Sequence, residues 1–241
     1  MGFDEVQFDY VRFPTDGNVG GATFSIPSTE ESRRAAITTF LGRAHAALQP
    51  YGVKLAADVF GYTSWVPDDL GIGQHLETIA PYLDVICPMV YPSTYSSGLP
   101  GDDPKYDFAI AYPYDIVHKS TLRTYNRMKA INPNIEVRPW LQDFRDYAFD
   151  TRWYTVAEIR AQMDGARHGG GRGWLLWDPA VQYTPEALVS AAPSYTPNVR
   201  GRVLVLSYGE IGASGDAEAD AQSGIRTAEE LRADLDRKSV V

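Results

Sequence analysis

Two aspartates stand at the ends of apolar, strand-like segments and are the strongest candidates for chemistry. Asp9 follows Phe8, and Asp58 follows Ala57 in a segment of similar character. Two carboxylates at the mouths of adjacent strands suit hydrolysis of a glycosidic bond, because one group protonates the leaving oxygen and the other attacks or activates water. Plainer interpretations stay open: a buried ion pair of Asp9 with Arg12, and an Asp58 that only caps a loop.

A third aspartate, Asp143, competes with Asp58 for the acid/base role. Side chains alternate along a strand, which places Arg138, Trp140 and Gln142 on the inner face of their segment. Asp143 then lies on the opposite face or in the loop. The sequence therefore favours Asp58 on geometry without excluding Asp143.

Polar and aromatic side chains near the same strand ends predict contacts with substrate. Arg12 could keep Asp9 ionised by lowering its pKa, and Tyr91 could donate to a carboxylate or to a sugar hydroxyl. Trp140 and Trp177 could stack on a sugar ring. The predicted binding residues are Gln7, Arg12, Tyr62, Tyr91, Tyr95, Trp140, Gln142 and Trp177. Each aromatic residue among them could instead pack the core.

Other catalytic chemistries have little support in the sequence. The four histidines, His45, His75, His118 and His168, show no paired spacing typical of a metal site. Cys87 is the only cysteine, which excludes an internal disulfide and a thiolate cluster, and we expect it to be a small buried hydrophobe. No Gly-x-Ser-x-Gly elbow or phosphate loop occurs. We therefore predict neither a metal nor a cofactor.

Composition limits the possible partners. The chain has 241 residues, of which 44% are apolar, and its 22 basic and 31 acidic residues give a net charge of −9. This charge argues against nucleic acid and anionic membranes as partners, and no apolar run is long enough to span a bilayer. The 15 Tyr, 9 Phe and 5 Trp residues, many beside Pro, Gly or Asp, suit a carbohydrate substrate.

Strand and helix patterns alternate along the chain. Short segments rich in β-branched and aromatic residues predict strands at residues 3–13, 53–60, 85–91, 135–141 and 173–177. Capping boxes at residues 28–31 and 155–158 predict the starts of two of the intervening helices. This order is typical of βαβ units and a parallel sheet.

A (β/α)8 barrel of the TIM type fits the pattern better than a doubly wound open sheet. Residues 13–16 (FPTD) stand where a dinucleotide-binding fold has its glycines, and Glu5, Gln7 and Asp9 share one parity that would face an enclosed interior. About five units are present where a complete barrel needs eight. We therefore expect an incomplete barrel that lacks its N-terminal strands.

The chain divides near residue 198. We expect residues 1–198 to form the C-terminal portion of the barrel and residues 199–241 to be a loosely attached or disordered extension. Within this extension, residues 202–208 could form a sixth strand.

Four blocks of sequence resemble, in order, a bacterial glycoside hydrolase domain family that was formerly called a domain of unknown function. The blocks are residues 2–14 (GFDEVQFDYVRFP), 57–61 (ADVFG), 84–93 (DVICPMVYPS) and 138–144 (RPWLQDF). The family resembles TIM-barrel glycosidases related to the α-amylases. The resemblance implies that Asp9 lies on the fourth barrel strand, which carries the nucleophile in related retaining enzymes, and that strands one to three are absent.

The residues and the resemblance together predict a glycoside hydrolase acting on an extracellular or cell-envelope polysaccharide. Asp9 would be nucleophile or electrostatic stabiliser, and Asp58 or Asp143 the acid/base. The main alternative is a non-catalytic carbohydrate-binding or structural remnant of such a barrel. A metal-dependent hydrolase would lose activity to chelators, and the placement of the histidines argues against it.

Overall fold

An all-parallel β-sheet organises the part of the chain that the computed structural model describes, residues 2–15, 19–189 and 203–206. The strands are β1 Glu5–Phe8, β2 Lys54–Phe60, β3 Val85–Met89, β4 Glu136–Val137, β5 Trp140–Gln142, β6 Leu175–Trp177 and β7 Val203–Leu206. Their order across the sheet is β6-β5-β3-β2-β1-β7, and β4 also pairs with β3. Every pairing is parallel, as expected for βαβ units.

Helices connect the strands. They are α1 Glu30–Leu48, α2 Leu76–Ile79, α3 Pro113–Ile131, α4 Val156–His168 and α5 Pro185–Leu188, with short 3-10 turns between them. The capping box of α4 is confirmed, since the Thr155 backbone N–H donates to the Glu158 carboxylate at 2.7 Å. The box of α1 lies one residue later than predicted and pairs Thr29 with Ser32. None of the helices in the described ranges is long and apolar enough to cross a membrane.

The two faces of the sheet differ in polarity, as the alternation of side chains predicts. Leu55, Ala57 and Val59 of β2 face outward and belong to the main apolar cluster with Ile37 and Leu41 of α1. Residues of the opposite parity face the concave interior.

The interior face carries a buried ion pair at the end where the strands begin. Both guanidinium nitrogens of Arg138 donate to the Glu5 carboxylate, at 2.7 and 2.9 Å. A paired, bidentate arrangement is what allows two charges to remain in a buried position. The other polar residues of this face lie above the pair, toward the ends of the strands.

Two predicted strands are shorter than expected for backbone reasons. Tyr10 has a φ of 57°, in the left-handed region, so β1 ends at Phe8 and not at residue 13. Pro139 has no N–H to donate and separates β4 from β5, both of which pair with β3. The predicted strand at residues 135–141 is therefore two short ones.

The described strands form an open part of a (β/α) barrel, which confirms the predicted fold class. β6 and β7 occupy the two ends of the strand order and do not pair with each other. The predicted strand at residues 202–208 corresponds to β7, which pairs with β1. Residues 190–202 and 207–241 lie outside the described residues, so the boundary at 198 and the extension of 199–241 stay predictions.

Candidate active site

Asp9 and Asp58 are brought together by the pairing of the first two strands. In the β1–β2 register Phe8 lies opposite Ala57. Asp9 directly follows β1, and Asp58 is two residues before the end of β2, so both lie toward the carboxyl ends where barrel folds carry their chemistry. The register therefore places this pair of aspartates side by side on neighbouring strands.

Asp58 is held by donors from two other strands, the neighbouring β1 and the more distant β5. Its Oδ1 accepts a hydrogen bond from Gln7 Nε2 at 2.6 Å and one from Trp140 Nε1 at 2.7 Å. Its Oδ2 is buried and has no hydrogen-bond partner among the described residues. The residue is only 1% exposed, so its charged form is costly.

Burial raises the pKa of Asp58 to about 7, and the nearby charge of Asp9 adds to the rise. Hydrogen bonds from Trp140 and Gln7, together with the nearby Cys87 thiol, act in the opposite direction and only partly offset it. A carboxyl group that keeps its proton near neutral pH has the property that a general acid needs.

Asp9 occupies a more open position at the end of β1. It is half-buried, and its Oδ1 accepts a hydrogen bond from the Tyr10 backbone N–H at 2.7 Å. Arg12 lies with its guanidinium 5.3 Å from the centre of the Tyr10 ring and donates to the Phe13 carbonyl at 3.5 Å. The effect of Arg12 on Asp9 stays a prediction.

Tyr91 is buried, and both carboxylates act on its hydroxyl through their charges. Burial raises the pKa of its hydroxyl, and the charges of Asp58 and Asp9 raise it further. Tyr147 and Tyr183 also act on this hydroxyl, from the loops that follow β5 and β6. The sequence places Tyr91 on the inner face but gives no prediction for the two loop tyrosines, for which the available signal is their position after β5 and β6.

An exposed tryptophan completes the rim. Trp177, at the end of β6, is 43% exposed and meets Trp140 edge to face with ring centres 6.0 Å apart. Trp177 therefore presents an accessible ring, as a sugar platform requires. The Trp140 indole N–H is directed inward to Asp58.

Two predicted contacts, Tyr62 and Tyr95, lie in the packed layer beneath the loops. Tyr95 is fully buried against Tyr62, with ring centres 4.9 Å apart, so its ring offers no face to a ligand. The Tyr62 hydroxyl donates to the Gly98 carbonyl and accepts from the Ser97 N–H, each at 3.1 Å. Both side chains stabilise the loop after β3 instead of facing the rim.

Gln142 is likewise used within the protein. It is 1% exposed. Its Oε1 accepts from the Ser93 N–H, and its Nε2 donates to Ser93 Oγ and to the Phe144 carbonyl. Gln142 has the inward direction that parity predicts, but its amide joins the loops after β3 and β5 and is buried from solvent.

Asp143 is also committed to a structural contact. It is 4% exposed, and its two oxygens accept hydrogen bonds from the backbone N–H and the hydroxyl of Thr184, both at 2.8 Å. This contact anchors the residue that precedes α5. Asp58, with one unused oxygen, is the better acid/base candidate.

The remaining candidates for chemistry are Cys87 and the histidines. Cys87 is buried as predicted, and it lies opposite Asp58 in the β2–β3 register, a proximity that the sequence does not reveal. No group of three His, Cys, Asp or Glu side chains that could hold a metal ion occurs within the described ranges.

The family of the chain agrees with this chemistry. The model of a family described as "Putative glycosyl hydrolase domain" matches residues 1–183, and the chain belongs to that family. No curated protein matches the chain.

Several solved structures are similar to the chain at 13% identity. The glycoside hydrolase domain of PgaB from Bordetella bronchiseptica has a TM-score of 0.44 over 62% of this chain and 38% of its own. The spore cortex-lytic enzyme SleL from Bacillus megaterium has a TM-score of 0.46 over 77% and 47%. The Group IV chitinase of Ostrinia furnacalis has a TM-score of 0.43 over 73% and 61%. The chain thus spans less than two thirds of each.

Proposed function

We propose that the chain hydrolyses glycosidic bonds of a polysaccharide with Asp9 and Asp58. The observation that carries this proposal is the contrast between the two carboxylates. Asp58 is buried with a pKa of about 7, whereas Asp9 is half-buried at the adjacent strand end. Two neighbouring carboxyl groups in such different environments are the usual requirement for one acid and one nucleophile or base.

In this mechanism Asp58 donates its proton to the oxygen of the scissile bond. The C–O bond breaks, its electron pair goes to the leaving oxygen, and positive charge develops on the sugar ring. Asp9 stabilises that charge or attacks the anomeric carbon, and a water molecule supplies the hydroxyl group of the product. A gap of about 5 Å between the carboxyl groups predicts retention of configuration, and a wider gap predicts inversion.

The aromatic rim supports a polysaccharide as the substrate. Trp177, Tyr147 and Tyr183 are 43%, 66% and 39% exposed and stand in the loops and strand end around Tyr91. Exposed rings with polar tips bind carbohydrate by stacking and hydrogen bonding. We propose an extracellular or cell-envelope polysaccharide.

The test is the release of reducing ends from a panel of polysaccharides. We expect turnover by the wild type, and losses of at least about 100-fold in Asp9→Asn and Asp58→Asn. Asp164→Asn is the matched control, because this aspartate is on the exposed surface of α4, where it pairs with Arg167. Full activity in either active-site variant would refute the proposed roles.

The same panel separates hydrolysis from the alternative function. A non-catalytic binding domain would bind a polysaccharide in affinity electrophoresis and release no reducing ends. In that case Asp9→Asn would bind as the wild type does, and Trp177→Ala would bind more weakly.

A further inference from the structure

Two N–H groups converge on the same oxygen of Asp58. Gln7 of β1 and Trp140 of β5 both donate to Oδ1, at 2.6 and 2.7 Å. A carboxyl oxygen has two lone pairs. The two donors occupy both of them, so Oδ1 has no electron pair available for a proton.

Resting on the function proposed above, we propose that Gln7 and Trp140 are positioning residues that direct the transferable proton of Asp58 to Oδ2. The carbonyl oxygen of a protonated carboxyl group accepts hydrogen bonds, and the other oxygen bears the hydrogen. Oδ2 is the oxygen without a partner among the described residues. The transferable proton is therefore confined to Oδ2, and donors from β1 and β5 fix the orientation of the carboxyl group.

The groups facing Asp58 are consistent with this assignment. Asp9 raises the Asp58 pKa through its charge, and the Cys87 thiol, opposite Asp58 in the β2–β3 register, lowers it. Tyr91 is held neutral by burial, because its own pKa is raised. The Glu5–Arg138 pair lies at the opposite end of the interior and is compensated within itself.

Trp140 then orients the acid and is not a stacking platform for the sugar. A ring whose N–H is bonded to the acid is constrained by that bond, and substrate stacking then belongs to the more exposed Trp177. The ring centres of the two tryptophans are 6.0 Å apart. Substitution by Phe is nevertheless expected to have a different effect on the Asp58 pKa at each of them.

The experiment is a titration of the Asp58 side-chain carboxyl carbon by NMR, with the signal assigned from its absence in Asp58→Asn. Trp140→Phe keeps an aromatic ring and removes the N–H. Because that hydrogen bond favours the carboxylate, its loss is expected to raise the Asp58 pKa by about one. Trp177→Phe is the matched control and is expected to leave the Asp58 pKa unchanged.

Gln7→Met provides an independent arm, since methionine has a similar length and no donor. It is also expected to raise the Asp58 pKa, which keeps the test decisive if Trp140→Phe does not fold. An Asp58 pKa that is unchanged or lowered in the folded variants would overturn the proposal. The titration uses no substrate, so absence of hydrolysis would refute the proposed function and leave this result interpretable by itself.

Once a cleaved polysaccharide is found, the same variants distinguish a role of Trp140 in positioning Asp58 from a role in packing. Trp140→Phe is expected to shift the basic limb of the pH–rate profile to higher pH, because the Asp58 pKa is raised. Trp177→Phe is expected to raise KM and leave the profile in place. A Trp140→Phe enzyme with a raised KM and an unmoved pH profile would contradict the positioning role.

Discussion

Replacing Asp58 by Asn should stabilise the protein, and the gain should grow with pH. The folded chain holds the Asp58 proton up to about pH 7, whereas the ordinary pKa of the group is 3.8. The stability that comes from this tighter proton binding is complete below pH 3.8 and is lost as the pH rises through about 7. The Asp58→Asn variant has no titrating group at this position, so its stability does not fall in this way as the pH rises.

The magnitude follows from the rise in pKa. A change from 3.8 to about 7 corresponds to about 4 kcal/mol, of which about 3 kcal/mol falls between pH 5 and pH 8. The assay is urea unfolding of wild type and Asp58→Asn across that range. Because both proteins share all other titrating groups, the difference between their free energies of unfolding isolates Asp58.

The control is Asp143→Asn, which changes another buried carboxylate to an amide. Asp143 accepts two hydrogen bonds from Thr184, and an amide has only one oxygen with which to accept them. We expect Asp143→Asn to be less stable than the wild type at both ends of the same pH range. A free-energy difference between wild type and Asp58→Asn that stays constant with pH would refute the reasoning about the buried acid.

Three further substitutions test other parts of the structure. Trp177→Ala should weaken oligosaccharide binding about tenfold in calorimetry and leave thermal stability nearly unchanged, because the ring is 43% exposed. Glu5→Gln should cost about 3–5 kcal/mol in urea unfolding, since it leaves the Arg138 charge buried without its partner. Gly61→Ala should lower the melting temperature measured by circular dichroism, because a Cβ there would overlap the Met89 carbonyl oxygen. Equal melting temperatures of variant and wild type would contradict this close approach of Gly61 to Met89.

The polarity of the two sheet faces could be predicted from the sequence because strand side chains alternate with a fixed period. Gln7 and Asp58 were placed on the inner face by parity alone, and the structure bonds them to each other. The same rule gave the inward direction of Trp140 and Gln142. What parity does not give is the partner of each inward group, because the partner depends on the register between strands that are distant in sequence.

Two of the predicted contact residues are held by interactions within the protein that the strand pattern does not reveal. Gln142 points inward but satisfies its amide on Ser93 and Phe144. Tyr95 follows a strand end, yet it is fully buried. The alternation of a strand predicts the direction in which a side chain leaves the backbone. The path of the loop that follows the strand decides whether a side chain reaches solvent.

The pH dependence of hydrolysis tests the two-carboxylate account most directly. On whichever polysaccharide of the panel is cleaved, kcat/KM for the wild type should fall as the pH rises through about 7, because Asp58 must be protonated to act as the acid. This fall should be absent for an activated aryl glycoside, whose leaving group needs no proton. No cleavage of any polysaccharide, or a rate that holds constant well above pH 7, would contradict the account.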